Sequence, residues 1–257
     1  DGGATQTGTS VAISTEGRHT LEFWSTDTAG NVEPKRSVAV DIDRTSPTIG
    51  HTQDPAANGN GWNNTAVVVT FSCADALSGV AACTAPQTVS SDGRDQLVTG
   101  TVTDNAGNTA TDPARVSIDT VAPVVALATD RAPNGDGWFR DDVVVTPTCS
   151  DALSGVASCP GATTLGEGRN QTVDATGSDA AGNSSTVSMS GIDVDKTPPT
   201  VSGAVGTPNG NGWYSGDVVV TWTCADTLSG LAAACPATST ITGEGAALGA
   251  SQSATDK

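Results

Sequence analysis

Residues 67–83 read Val-Val-Val-Thr-Phe-Ser-Cys-Ala-Asp-Ala-Leu-Ser-Gly-Val-Ala-Ala-Cys. In the first half of this stretch, apolar side chains occupy alternate positions, at Val67, Val69, Phe71 and Cys73. Successive side chains of a strand point to opposite faces, so these four share one face, which we expect to pack against a core. The second half is rich in small residues and ends at a second cysteine. The stretch therefore predicts a half-buried strand that leads into a loop bounded by two cysteines.

The same stretch occurs three times in the chain. It returns at 143–159 and again at 218–235, where one alanine is inserted, and each copy follows an Asn-Gly-x-Gly-Trp segment. The tryptophans of these segments, 76 and 75 residues apart, are Trp62, Trp138 and Trp213. A fixed period indicates a repeat array and takes precedence over a domain count from chain length. We predict two complete repeats and two partial ones, with the bounds 1–46 (partial), 47–122, 123–198 and 199–257 (partial).

By this alignment the chain begins and ends inside a repeat. The segment 253–257 matches the residues that precede Ala-Gly-Asn in the 123–198 repeat. We interpret the chain as a piece of a longer array. The alternative is that a strand of another chain completes the last repeat, as in strand-addition polymers, although the two end pieces overlap in content rather than complement each other.

The pattern within a repeat is that of short strands. Near the end of the first partial repeat, Val38, Val40 and Ile42 again alternate with other residues, and no window shows a sustained 3.6-residue apolar stripe. Turn-forming residues interrupt the chain every few positions, which predicts an all-β fold, either a sandwich or a small barrel. Pro147 lacks an amide donor, so we expect a sheet edge at its position or an amide site that faces solvent.

The cysteines fall into one pair per repeat. A repeat of about 76 residues has a small core, and closing a loop of roughly 11 residues stabilises it by about 3 kcal/mol in the chain-entropy model. The competing interpretation is a metal site, but two cysteines without a nearby histidine do not complete a four-ligand zinc centre within one repeat. The spacing leads us to expect that each disulfide ties a strand to the adjacent loop, and that the protein resides outside the cytosol. The predicted disulfides are Cys73–Cys83, Cys149–Cys159 and Cys224–Cys235.

Composition argues against several function classes. The formal net charge is −17, with 11 Lys+Arg against 28 Asp+Glu, so we expect no nucleic-acid partner. No stretch approaches the roughly 20 apolar residues that span a bilayer, so we expect no membrane insertion of this segment. His19 and His51 are not repeated and no serine lies in a nucleophile-elbow sequence, so we expect no enzyme activity.

Three motifs resemble those of a known family. They are Asp-x-Ala-Gly-Asn after a Val/Thr-rich strand, as at 104–108, Ile-Asp-x-Thr-x-Pro at the repeat junction, as at 42–47, and Asp-x-x-Ser-Gly-Val, as at 75–80. Together they resemble the tandem bacterial immunoglobulin-like (Big-type) repeats of large bacterial surface proteins and adhesins. The resemblance covers essentially the whole chain and implies tandem immunoglobulin-like β-sandwich modules. It says little about function, because such modules serve as stalks, ligand binders and enzyme accessories alike.

Repeated acidic residues suggest calcium as a possible cofactor. Carboxylate and amide oxygens recur in the Gly-containing turns and at the junctions, and Ca²⁺ takes six to eight oxygen ligands. The alternative is that Asp and Asn merely hydrogen-bond their own turns. We assign that structural role to Asp75, Asp151 and Asp226 between the cysteines. The candidate calcium ligands are Asp27, Asn31, Asp41, Asp43, Asp104, Asn108, Asp119, Asp179, Asn183, Asp193 and Asp195.

The expected function is mechanical. Linkers of the Asp-x-Thr-x-Pro type are short and stiffened by proline, so successive repeats should stack as a semi-rigid stalk or spacer of an extracellular or cell-surface protein, in the manner of an adhesin. The neighbouring repeats are then the main partners. One alternative is that the modules bind a host protein or a glycan, with the repeated tryptophans as a platform instead of core residues. Another is an accessory region of a secreted hydrolase.

Overall fold

The computed structural model describes residues 7, 8 and 10–257, so the predicted 1–46 repeat extends partly outside the described residues. Over the described residues the chain is all-β, as predicted, with eighteen strands and no helix. None of these residues forms a helix able to span a membrane. The strands are β1 (Gly17–Phe23), β2 (Arg36–Ile42), β3 (Thr48–Asp54), β4 (Val67–Ala74), β5 (Val80–Cys83), β6 (Gln87–Val89), β7 (Gly93–Asp104), β8 (Thr109–Ile118), β9 (Val124–Thr129), β10 (Trp138–Phe139), β11 (Val143–Ser150), β12 (Val156–Ser158), β13 (Thr163–Leu165), β14 (Gly168–Asp179), β15 (Ser184–Val194), β16 (Thr200–Val205), β17 (Val218–Ala225) and β18 (Thr238–Ile241).

The chain forms two compact units. Unit 1 holds Asp1–Val121 with Ala180–Asn183, and unit 2 holds Ala122–Asp179 with Ser184–Lys257. The predicted repeats 1–46 and 47–122 therefore fall almost wholly in unit 1. Most of 123–198 and all of 199–257 fall in unit 2.

Unit 1 contains a hairpin and two three-stranded sheets. The hairpin is β1–β2, and the sheets have the orders β3-β4-β6 and β5-β7-β8. The alternating face of β4 faces inward as the sequence predicts, because Val67 and Val69 are fully buried and Phe71 is 7% exposed. These side chains form one core cluster with residues of β7 and β8, so the core draws on both sheets. The cluster is Val67, Val69, Phe71, Val98, Ala114, Val116 and Ile118.

Unit 2 has the corresponding sheets β13-β11-β9 and β10-β15-β14-β12, followed by β16-β17-β18. The short strand β10 pairs in parallel with the end of β15, whereas the corresponding contact in unit 1 is an isolated parallel bridge between Asn63 and Ile118. The core cluster again draws on both sheets. It consists of Phe139, Val143, Val145, Val173, Ile192 and Val194.

Pro147 lies where only one neighbour pairs with β11. Strand β13 pairs with Val143–Val145 and no further, while β9 pairs with the remainder of β11 through Ser150. The strand is thus at a sheet edge at Pro147, as predicted, and the missing amide removes no ladder bond on the β13 side.

All three predicted disulfides are present, and no described cysteine is free. The expectation that each one ties a strand to a loop is wrong for the 47–122 repeat. Cys73 lies in β4 and Cys83 ends β5, and these strands belong to different sheets. The bond therefore links the two sheets, because the nine intervening residues carry the chain from one sheet to the other. Sequence spacing alone did not reveal that the second cysteine is in a strand.

Candidate metal centres at the repeat junctions

The Asp-x-Ala-Gly-Asn segments fold as tight turns. The carboxylate of Asp104 accepts hydrogen bonds from the Asn108 backbone amide and side-chain amide, both at 2.8 Å. The carboxylate of Asp27 receives the same two bonds from Asn31, at 2.8 and 2.7 Å. Gly107 at the fourth position has a φ of +93°, which side-chain-bearing residues rarely adopt. Aspartate, glycine and asparagine are therefore each required by the turn itself.

In unit 1 this turn meets two other acidic segments. Asp43, Asp75 and Asp104 each place a carboxylate oxygen within 4.8 Å of the others, and we name this group the Asp43 cluster. The three carboxylates lie 32 and 29 residues apart along the chain. Asp43 follows β2 in the linker, Asp75 follows β4 in the loop between the cysteines, and Asp104 ends β7. The fold therefore gathers three segments that the sequence keeps apart.

Hydrogen bonds fix the first two carboxylates of the Asp43 cluster. Asp75 Oδ1 accepts the amides of Leu77 and Gly79, at 3.1 and 2.7 Å, which confirms its predicted role in the loop. Asp43 Oδ1 accepts the Thr45 amide at 3.0 Å, and its Oδ2 accepts the Ser78 amide at 3.0 Å. The Asp75 loop and the linker are thus joined directly through Ser78.

Unit 2 holds a second group of the same kind. Asp195, Asp226 and Asp256 also have carboxylate oxygens within 4.8 Å of one another, and we name this group the Asp195 cluster. Asp195 accepts the amides of Thr197 and Ser229 at 3.0 and 2.8 Å. Asp226 Oδ1 accepts the Gly230 amide at 2.6 Å. The bonds to Asp195 and Asp226 match those to Asp43 and Asp75, although here Asp195 and Ser229 are buried, at 5% and 7% exposed.

The corresponding residues of the middle repeat are divided between the two units. Asp119, in unit 1, is fully buried, and its Oδ1 accepts the Val121 amide at 3.0 Å. Asn183, also in unit 1, donates from Nδ2 to the Asp119 carbonyl at 2.8 Å. In unit 2, Asp151 Oδ1 accepts the Gly155 amide at 2.7 Å, and Asp179 is 2% exposed. The bonds of Asp119 and Asp151 thus match those of Asp43 and Asp75.

The junction aspartates are held in the ionised form. The hydrogen bond from the Ser78 side chain is the largest influence on Asp43 and lowers its pKa; burial opposes it, but the backbone bonds from Thr45 and Ser78 add to the lowering, so the pKa is lowered overall. Burial is the largest influence on Asp195 and raises its pKa, but the bonds from Ser229 and Thr197 and the field of Arg169 together lower the pKa overall. A depressed folded-state pKa contributes stability above the ordinary range of an aspartate, near pH 4, and this contribution is lost as the pH falls through the folded-state pKa.

The Asp43 cluster fits a divalent cation. None of its three carboxylates forms an ion pair with a Lys, Arg or His among the described residues. Carboxylates this close repel one another, and a hard cation with oxygen ligands relieves that repulsion. Three carboxylate groups supply part of the six to eight oxygens that calcium takes, and backbone carbonyls and water complete such shells. The geometry is thus able to hold calcium.

The structure assembles some of the predicted calcium ligands and separates others. Asp43, Asp104 and Asp195 lie in the clusters. Asp41 instead pairs with Arg18 at 3.0 Å, and Asp193 accepts the Asn170 amide at 2.6 Å. Neither these two nor Asp27 belongs to a group of three acidic ligands among the described residues, and the side-chain amides of Asn31 and Asn108 donate to their own aspartates.

Sequence reasoning missed two kinds of cluster member. Asp75 and Asp226 have the predicted loop role, but that role also points a carboxylate at the junction. Their recurrence two residues after the first cysteine of each pair was the available signal. Asp256 was missed because the Ala-Gly-Asn that marks its counterparts does not follow it within this sequence.

The tryptophans divide by burial. Trp62 is 4% exposed, as predicted for a core residue, and the guanidinium of Arg94 lies 4.7 Å from its ring centroid. Trp138 is half-buried, with Arg169 5.1 Å from its ring centroid. Trp213 is 58% exposed, so the expected core role is wrong there. Position 246, which aligns with the two arginines, is an alanine, so this ring lacks their cover.

Comparison with protein-family models and with characterised proteins gives no match.

Proposed function

We propose that this chain is a non-catalytic spacer segment of an extracellular repeat protein, built from tandem immunoglobulin-like β-sandwich modules of about 76 residues. The observation that carries the proposal is the junction itself. In both units, an aspartate of the linker is bonded by a serine amide of the following module, Asp43 by Ser78 and Asp195 by Ser229. Short proline-containing linkers with such fixed contacts suit a module array that sets a distance.

The disulfides and charge support an extracellular setting. Three disulfides and no free cysteine among the described residues require an oxidising environment. A net charge of −17 keeps a long array soluble through self-repulsion. The resemblance of the motifs to Big-type repeats favours a bacterial cell-surface or secreted protein, with an adhesin as the parent.

Calcium has a defined place in this proposal. The Asp43 and Asp195 clusters each combine a linker carboxylate with two carboxylates of the following module, so a bound cation ties the linker to that module. Such an ion supplies charge neutralisation at the junction and no chemistry. The spacer would then be stiffer in calcium-containing surroundings than in calcium-free ones.

Small-angle scattering of the oxidised chain tests the proposal. A compact globule of 257 residues has a radius of gyration of about 18 Å, and a spacer must exceed this value clearly. Measurements with excess calcium and then with a chelator separate the two parts of the proposal. An extended chain that is indifferent to calcium retains the spacer and removes the cation, whereas a radius near the compact value contradicts the spacer function.

A second candidate function is glycan binding, which the exposure of Trp213 favours. Its ring is 58% exposed, and the adjacent Tyr214 is 38% exposed. Exposed aromatic faces stack on sugar rings. Binding to a glycan array that disappears in Trp213→Ala but persists in Trp62→Phe would assign this function, and no binding by the native chain would remove it.

A further inference from the structure

The loop between the two cysteines of a repeat contacts the chain that enters that repeat. Asp43, which follows β2, accepts the amide of Ser78 in the Cys73–Cys83 loop at 3.0 Å. Asn108 adds a bond from its Nδ2 to the Asp43 carbonyl at 3.3 Å. In unit 2 the same contact joins Asp195 to Ser229 of the next loop, at 2.8 Å. These bonds hold the linker at the surface of the following repeat.

The loop in unit 1 has no hydrophobic anchor of its own. No residue from 74 to 83 is buried, and all four residues of β5 are exposed. Polar bonds shape the loop, since Asp75 accepts two of its amides and Asn105 donates to the Ser78 carbonyl at 2.8 Å. Exposed hydrogen bonds contribute little net stability, because water replaces them readily. The loop ends in β5, whose four exposed residues pair with β7 at three positions, and the Cys73–Cys83 bond is the covalent tie that adds to this short pairing.

The core does not depend on the loop in the same way. Its cluster consists of residues from β4, β7 and β8, and no residue between Cys73 and Cys83 belongs to it. Opening the disulfide therefore breaks a bond to which no residue of the core cluster contributes. The loop and the core are thus separable parts of one module.

We propose that the Cys73–Cys83 loop is a redox-controlled latch for the junction between the β1–β2 hairpin and the 47–122 repeat. With the disulfide formed, the serine amide holds the linker aspartate and fixes the preceding segment against the repeat. When the disulfide is reduced, the short β5–β7 pairing opens, the loop detaches, the linker is released and the core remains folded. This inference goes beyond the spacer function, since it concerns how a junction is loosened, and it requires no bound cation.

Reduction requires a dithiol as the electron donor. One thiolate of the dithiol attacks Sγ of the exposed Cys83, the Sγ–Sγ bond breaks, and Cys73 leaves as a thiolate that takes up a proton. The second thiol then attacks the mixed disulfide, which frees Cys83 as a thiol and closes the donor's own disulfide. Two electrons and two protons pass from the dithiol to the chain.

Residual dipolar couplings of the full 257-residue chain in a chelating buffer test the latch. In the oxidised chain, the amides of the β1–β2 hairpin and of β4, β7 and β8 should fit one alignment tensor. After reduction with excess dithiothreitol, the hairpin couplings should be averaged toward zero, while those of β4, β7 and β8 keep their magnitude. The chelator excludes cation release as the cause.

Two variants separate the latch from general destabilisation. Asp43→Ala, kept oxidised, removes the acceptor and should lose the hairpin couplings as reduction does. The matched control is Glu22→Ala on β1, which removes an exposed carboxylate that contacts Lys35, and it should leave the couplings unchanged. The proposal is overturned if the hairpin stays aligned after reduction or in Asp43→Ala. It is also overturned if the couplings of β4, β7 and β8 collapse together with those of the hairpin, because the disulfide is then a staple of the whole module.

Discussion

The predicted repeats 47–122 and 123–198 each have one phenylalanine in the core, but at different places. In the 47–122 repeat, Phe71 lies on the middle strand of its sheet and faces Gly100, where a Cβ atom would lie only 2.3 Å from the Phe71 ring. In the 123–198 repeat, the corresponding positions hold Pro147 and Ala175. The aromatic side chain is instead Phe139 of β10, which is 6% exposed.

The position of Phe139 also differs between the two repeats. Asn63 of the 47–122 repeat corresponds to Phe139, follows the same tryptophan segment and is 5% exposed. Its side-chain Nδ2 has no hydrogen-bond partner. The two repeats thus place their large aromatic core side chain at different positions, so the size of the core side chain is not kept position by position. One repeat accommodates a central ring opposite a glycine and tolerates a buried amide at the end of the sheet.

The largest expected effect follows from removing either ring. Phe71→Ala should destabilise the 47–122 repeat by about 3–5 kcal/mol, because it leaves a cavity beside Gly100 that a glycine cannot fill. Phe139→Ala should do the same to the 123–198 repeat. Amide exchange at Val69 and Val145 in the full chain reports each repeat separately. If either variant destabilised both repeats alike, the cores would not be independent, and the comparison would fail.

Removing the disulfide should destabilise the two repeats equally. The Cys73–Cys83 and Cys149–Cys159 bonds close loops of the same length, with a sequence separation of 10 in each. Each bond should therefore contribute about 3 kcal/mol in the chain-entropy model. The variants Cys73→Ser/Cys83→Ser and Cys149→Ser/Cys159→Ser should show equal losses in denaturant unfolding of the full chain. Unequal losses would mean that the loops differ in native contacts, and unchanged stability would remove the staple altogether.

Much of this fold could be predicted from the sequence because the relevant signals are local. Period-2 alternation identified β4, β11 and β17, and the lack of an amide at Pro147 identified a sheet edge. The pairing of cysteines within each repeat was also predicted, since the small core needs a covalent tie. What it ties was not predicted, because β5 is four exposed residues with no alternation to mark a strand.

The acidic clusters could be predicted only in part. Asp43 and Asp104 were proposed as calcium ligands from their recurrence at junction and turn, but Asp75 was assigned to its loop alone. A carboxylate with two oxygens can cap a loop through Oδ1 and still contribute to a cluster, and sequence spacing does not show in which direction the second oxygen points. The exposure of Trp213 could not be predicted for a similar reason, because it depends on whether another side chain covers the ring, and the surrounding sequence does not show this.

A smaller effect tests the packing of ring against glycine directly. Gly100→Ala should destabilise the 47–122 repeat by about 1–3 kcal/mol, because the new methyl group overlaps the Phe71 ring. In the Phe71→Ala background the same substitution should cost little, since the ring is gone. This double-mutant cycle measures the coupling between the two positions. Equal costs in both backgrounds would show that Gly100 is needed for its backbone and not for the space it leaves.

The smallest expected effect is a gain in stability at Asn63. An unsatisfied buried amide group costs about 1–3 kcal/mol, so Asn63→Leu, which nearly preserves the shape, should stabilise the 47–122 repeat by about 1 kcal/mol. The two backbone bonds of this residue, from its amide to the Ser117 carbonyl and from the Asp119 amide to its carbonyl, do not depend on the side chain and should persist. Asn64→Leu at the exposed neighbouring position is the matched control and should change the unfolding free energy by far less. A loss of stability in Asn63→Leu would show that this position requires an amide after all. In that case this position would need a polar side chain in the 47–122 repeat and an apolar one in the 123–198 repeat, which is a larger difference than the placement of the ring.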